Sequence, residues 1–279
     1  MDLIAAEPAL RLSLFVLVLG IVALAEAAAP RRPRALLRRA RWPANLAIVA
    51  LSTVVVRVMV PVTAVGMAVI AEERGWGLFH TGLPVPAWAA IALSVVLLDL
   101  AIYLQHVLFH AVPLLWRLHR MHHADLDVDA TTGARFHPVE VLLSMVFKLG
   151  GIVALGAPPV GVLVFEVLLN AGSTFNHGNL RLPDPVDRAL RWLVVTPDMH
   201  RVHHSIVPAE TNSNFGFTLP WWDRLGGTYR DQPAAGHAQM TLGIEQFRDP
   251  RSRRLDRLLV QPLLEDGGGY ALSGRRPGP

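Results

Sequence analysis

Apolar residues gather into four long stretches, residues 12–29, 46–71, 86–112 and 139–171, separated by shorter polar segments. About 20 consecutive apolar residues cross the hydrocarbon core of a bilayer, so the pattern predicts a polytopic helical membrane protein. One helix is expected from the first stretch, a second over residues 45–70 and a third over 86–112, with an outer loop over 71–85. The fourth stretch is too long for one crossing and is broken by Gly156-Ala157-Pro158-Pro159. Proline lacks an amide donor and clashes with the preceding turn. The segment therefore reads as a helical hairpin turning at Ala157, each arm roughly 28 Å long. The expected fold class is all-α, a membrane bundle of about four to five spans with a helical cap.

Composition supports this reading. The chain of 279 residues is 52% hydrophobic and 17% charged, below the roughly 25% charge of soluble domains. It has no cysteine, which excludes disulfides and thiolate metal sites. Of 26 basic residues only Lys148 is not arginine, and six arginines crowd into positions 31–41. This cluster lies between two expected spans, so the positive-inside rule makes it a cytoplasmic loop, not a nucleic-acid patch. Ala25-Glu26-Ala27 resembles a cleavage site, but the charge follows the apolar run where a leader would carry it in front, so an uncleaved first helix is expected. With that loop inside, the hairpin feet and everything after Gly178 fall on the cytoplasmic side. The expected organisation is an N-terminal membrane region over residues 1–85, a central domain over 86–247 and a tail over 248–279, disordered from residue 267.

The polar segments carry histidine. Ten of twelve histidines lie between His106 and His204: His106 and His110, the box His119, His122 and His123, the box His200, His203 and His204, and the single residues His137 and His177. His80 and His237 stand outside and read as loop residues. In the third helix Asp99, Tyr103, His106 and His110 share one face. The two H-x-x-H-H boxes place imidazoles at i, i+3 and i+4, able to converge on one metal or bridge a pair. His137 and His177 each lie 20 residues from Ala157, so antiparallel arms bring them to one depth beside the boxes. Ten imidazoles exceed the four to six ligands of one ion and suit two. Structural zinc commonly employs cysteine, and iron, unlike zinc, activates dioxygen; the donor set favours two irons.

Charges inside spans need partners. Equal-depth arguments pair Arg57 with Asp99, with orientation of His106 as the alternative role of Asp99, and pair Lys148 with Glu166. Asp125, Asp127 and Asp129 imitate the start of a calcium loop, but Ala130 and Phe136 stand where glycine and glutamate are required.

Several ordered segments carry a resemblance: Trp116-Arg117-Leu118-His119-Arg120-Met121-His122-His123, Arg135-Phe136-His137-Pro138-Val139-Glu140, Asn176-His177-Gly178-Asn179, Met199-His200-Arg201-Val202-His203-His204, and Asn214-Phe215-Gly216 followed by residues 222–229. Together, over residues 99–229, they resemble the fatty acid hydroxylase/sterol desaturase superfamily of integral-membrane di-iron oxygenases. One departure is Val107, where that family often has arginine. The resemblance implies a di-iron centre, dioxygen, a membrane lipid substrate hydroxylated or desaturated at a C–H bond, and an external electron donor such as a ferredoxin, cytochrome or reductase. No glycine-rich dinucleotide fingerprint is present. A carotenoid hydroxylase, with similar boxes, and a metal transporter or storage protein are the other readings. Transporters spread their ligands along the span, whereas these histidines gather at one end.

Overall fold

The computed structural model describes residues 3–83, 85–265 and 269–272, and these contain helices and no strand. The membrane part comprises α1 (Leu3–Ala28), α2 (Trp42–Met59), α3 (Ala64–Arg74), the single turn α4 (Leu78–Thr81), α5 (Ala87–Ala111), and, after α6 (Pro113–His123), the hairpin α7 (Pro138–Leu155) and α8 (Pro159–Asn176). The cap continues through α9 (Asp184–Leu190), α10 (Pro197–His203) and shorter helices. Four segments are long and apolar enough to cross a membrane: Ala6–Ala28, Trp42–Thr81, Ala87–Ala111 and Pro138–Leu155.

The hairpin forms where expected. Gly156 takes the left-handed conformation (φ 67°) that ends α7, and Pro158-Pro159 start α8 with φ already set for a helix. A Cβ on Gly77 would lie 2.1 Å from the Gly156 nitrogen, so two glycines let the α3–α4 loop cross the hairpin turn. The expected helix over 45–70 is instead two helices. Pro61 cannot donate to the helix ladder; α2 stops at Met59, and Thr63 caps α3 by accepting from the Gly66 amide at 3.0 Å. Ala64, Ala68 and Ala71 of α3 are fully buried. The first two pack closely in a core with Leu98, Ile102, Ile152 and Phe165, as small residues permit between membrane helices.

The Lys148–Glu166 pair is present, joined by Arg11 at 2.6 Å from Glu166. The expected Arg57–Asp99 pair is not formed. Asp99 accepts from Trp222 Nε1 at 2.8 Å and from the Leu219 amide at 3.2 Å. Equal depth does not fix the direction in which a side chain leaves its helix, and Asp99 faces the cap. Nor does it orient His106, whose Nδ1 bonds to the Phe215 carbonyl.

Most arginines of the arginine-rich loop are engaged by partners within the protein, although only Arg41 is fully buried. Arg41, 1% exposed, pairs with Asp125 (2.6 Å) and Asp129 (2.7 Å). Arg31 pairs with Asp198, and Arg38 with Glu26. Glu26 also accepts from the amides of Ala130 (2.7 Å) and Asn179 (2.9 Å), fastening α1 to the cap. The aspartates that imitate a calcium loop are thus arginine and amide partners, with Asp127 taking the Leu36 amide.

The expected disorder from residue 267 falls mostly outside the described residues, but it does not hold for Tyr270 and Ala271. Tyr270 is buried, stacks on Trp116 at 5.8 Å and donates to the Ile206 carbonyl at 2.8 Å. A buried aromatic surface outweighs the glycine-rich run before it.

Candidate metal centre

Nine of the ten expected histidines converge, in two adjacent buried clusters. His106, His110, His119, His123 and His203 form one; His122, His177, His200 and His204 form the other. Within each, the available nitrogens lie within 4.8 Å of one another. The two boxes divide reciprocally. His119 and His123, one helical turn apart, enter the first cluster while His122 enters the second; His200 and His204 enter the second while His203 enters the first. Residues i and i+4 share a helix face and i+3 leans to its side, so two boxes facing each other fill two sites. His123 and His204 stack across the boundary at 4.7 Å.

Backbone carbonyls fix four of the nine rings. Nδ1 of His106 bonds to Phe215 O (2.7 Å), of His122 to Arg135 O (3.2 Å), of His177 to Ser173 O (2.7 Å) and of His203 to Ser213 O (2.8 Å). A carbonyl only accepts, so each Nδ1 carries the proton and each Nε2 presents a lone pair. Two side chains do the same work: Asn212 Oδ1 at 3.1 Å from Nδ1 of His110, and Glu140 Oε1 at 2.6 Å from Nδ1 of His119.

Bare Nε2 atoms then face one another: His106 and His119 at 3.0 Å, and His122 and His177 at 3.1 Å. Lone pairs at that separation repel unless a cation lies between them. Two nitrogens each ~2.1 Å from one ion and at right angles stand ~3.0 Å apart, so the donor set fits metal. Nε2 of His110 and His203 and both ring nitrogens of His204 are buried without a hydrogen-bond partner, as suits nitrogens that serve a metal. Burial pushes His119 and His177 down to about 3 and holds His122, His123, His200, His203 and His204 well below the usual range, each also opposed by neighbouring imidazoles where these are close. Neutral imidazole is the ligating form.

His137 is not in either cluster. It caps α7, its Nδ1 accepting from the Val139 amide at 3.2 Å and its Nε2 lying 3.2 Å from the Leu259 carbonyl. His237, expected in a loop, is buried 3.4 Å from Asp198, beneath α10.

The face Asp99, Tyr103, His106 and His110 docks as a unit on residues 212–228. Asp223 organises that segment: its two carboxylate oxygens accept from the Phe215 and Gly216 amides, each at 2.8 Å, and from Thr228 at 2.7 Å. Asn214 takes φ 49°, a left-handed conformation asparagine tolerates, and bonds to Met199 O and Arg230 O. The polar motif around residues 214–229 is thus a rigid platform aiming the Phe215 carbonyl at His106. Sequence reasoning missed Glu140, Asn212, Asp223 and Arg41 as supports. Glu140 and Asp223 lay inside the motifs; Asn212 carried no signal.

A cavity of about 750 Å³ opens at the clusters, with His106, His119, Glu140 and Gln105 at that end and apolar walls including Leu12, Phe15, Val49 and Phe109 from α1, α2 and α5.

Comparison with known proteins agrees with this geometry. The fatty acid hydroxylase family model matches residues 91–228. An ornithine lipid hydroxylase of Rhizobium tropici is 33% identical over 145 residues, covering 51% of this chain and 42% of that protein. An alkylglycerol monooxygenase of Xenopus tropicalis is 31% identical over 132 residues (47% and 28%). A delta(7)-sterol 5(6)-desaturase of Aspergillus fumigatus is 28% identical over 174 residues (58% and 47%). The chain thus spans less than half the length of each of these relatives. No solved structure matches it significantly. The matched region holds α5, both boxes, His177 and the platform, and on these grounds the chain belongs to the fatty acid hydroxylase/sterol desaturase superfamily.

Proposed function

We propose that the protein is a membrane di-iron oxygenase that hydroxylates or desaturates a C–H bond of a lipid, with its centre on the cytoplasmic side. The observation that carries this reading is the meeting of two buried all-histidine clusters with the end of a long, mostly apolar cavity inside the helix bundle. Relatives named as a lipid hydroxylase, a monooxygenase and a sterol desaturase support it.

His106, His110, His119, His123 and His203 would hold one iron, and His122, His177, His200 and His204 the other. Iron bound there supplies the activation of dioxygen, with electrons from an external donor. The protein's own part is positional. Carbonyls of Phe215, Arg135, Ser173 and Ser213 fix ring orientation and tautomer. Glu140 makes His119 a stronger donor, as a carboxylate behind a ligating imidazole does. The cavity walls exclude water and deliver an alkyl chain past Phe109 and Gln105 to the cluster edge at His106 and His119. The arginine-rich loop and the arginine-bearing tail are the candidates to steer an acidic donor. Since Arg31, Arg38 and Arg41 of the loop are paired internally, the surface hollow where Arg39 of the loop meets Arg253 and Arg254 of the tail is the landing site favoured here.

Lipid extracts from cells with and without the gene, grown under labelled dioxygen, test this reading. An oxygen-labelled hydroxy lipid or a new alkene that disappears with His122→Ala supports it. A lipid profile unchanged by the gene contradicts it.

A further inference from the structure

The cavity that begins at the histidines has a second, charged end. Arg11, Arg57 and Lys148 all line it. Arg11 pairs with Glu7 at 2.7 Å and with Glu166 at 2.6 Å, and Lys148 pairs with Glu166. Glu7 and Glu166 are each 1% exposed, committed to these partners. Arg57 makes no hydrogen bond or ion pair among the described residues, although it lies within electrostatic reach of Glu166. Three cations and two carboxylates leave one positive charge over, on Arg57, an exposed side chain two residues from the end of α2 and on the cavity wall. An ionisable group in that setting is costly without a partner and marks a ligand path.

The separation of the two ends sets a length. Glu140, beside His119, and Lys148 both line the cavity and lie eight residues apart on α7. That is ~12 Å along the helix, or about ten bonds of an extended chain at ~1.2 Å each. A single excess charge matches a monoanion; a dianion would overcompensate it.

We propose that Arg57 anchors the carboxylate of a single-chain lipid whose alkyl chain runs along the cavity to the histidine clusters. The direction of the chain rests on the oxygenase reading above; the anion site does not. Arginine suits the task because its fork of donors matches a carboxylate and it is never deprotonated. The site then selects for a free acid and sets the reacting carbon by its distance from the carboxylate.

Equilibrium binding of radiolabelled palmitate, hexadecanol and hexadecyl phosphate to the full chain in phosphatidylcholine nanodiscs tests the proposal. On the unaltered protein palmitate is expected to bind roughly tenfold or more tightly than hexadecanol, the worth of one charge-assisted hydrogen bond. Arg57→Gln should erase that preference and Arg57→Lys retain most of it. Equal binding of palmitate and hexadecanol to the unaltered protein overturns the proposal, as does a preference that survives Arg57→Gln. Tighter binding of hexadecyl phosphate than palmitate overturns the carboxylate assignment. The assay uses neither oxygen nor reductant. Loss of the oxygenase reading would therefore leave a palmitate preference standing, and loss of the preference would leave the metal content untouched.

Discussion

Glu140 Oε1 stands 2.6 Å from Nδ1 of His119, across 21 residues of chain. Among the described residues it is the one carboxylate seated directly behind a ring of the two clusters. Replacing it should weaken metal retention without moving a ligand: Glu140→Gln preserves an acceptor but removes the charge. Loss of such a partner typically lowers metal affinity 10–100-fold. Iron remaining after a timed chelator challenge checks this, and retention equal to that of the unaltered protein would count against the role.

His137 is expected to behave differently from the nine. His137→Ala should keep the full metal content and lose about 1 kcal/mol of stability from the missing helix cap. Metal analysis and thermal melting of one preparation test both halves. Loss of one metal per chain would return His137 to the ligand set.

Much of this arrangement was legible in the sequence, for a definable reason. A helix advances a fixed distance per residue, so depth can be counted. Counting from Ala157 correctly brought His177 to the boxes and Lys148 to Glu166. Counting cannot give direction. His137 lies at the counted depth, yet its ring folds back onto the Val139 amide. Asp99 points to Trp222 instead of toward Arg57. Residues 60–63 broke the second helix at Pro61, a stop the apolar run concealed. The supports of the site depend on contacts distant in sequence, as between His110 and Asn212 across 102 residues, and no local pattern encodes them.

Buried charge holds the cap to the first two helices. Arg41→Met would leave Asp129 without its guanidinium and Asp125 with Arg135 alone, costing ~3–5 kcal/mol, or roughly 10 °C in melting temperature. Thermal melting in detergent reads this directly, and a shift of under a degree or two would show that the pair is dispensable.

The same network sets an acid limit. Burial alone would raise the Asp125 carboxyl, but Arg41 and Arg135 beside it hold it well below the usual carboxylate range. A carboxyl depressed in the folded state stabilises the fold above its unfolded pKa of about 3.9, and that contribution is lost as pH falls below it. Asp125→Asn should therefore be less stable than the unaltered protein at pH 7 and show a flatter decline in stability below pH ~4. Parallel slopes in that range would place the acid limit elsewhere.

Gly133 packs against the second cluster's support. A Cβ there would lie 2.4 Å from Ser173 O, the acceptor for His177 Nδ1, and 3.1 Å from that nitrogen itself. Gly133→Ala should force these atoms apart, at a cost of ~1–3 kcal/mol, and loosen metal in the cluster of four before the cluster of five. Sequential metal release during chelation tests the order; simultaneous release at the native rate would contradict it.

One chain is expected to build two separate iron sites from two interlocked boxes. Iron counted per chain in anaerobically prepared protein, by elemental analysis, tests it most directly. Two irons per chain and little zinc are expected, falling toward one when His123, of the first cluster, or His204, of the second, is replaced by alanine. One metal per chain in the unaltered protein, or zinc in place of iron, would contradict it.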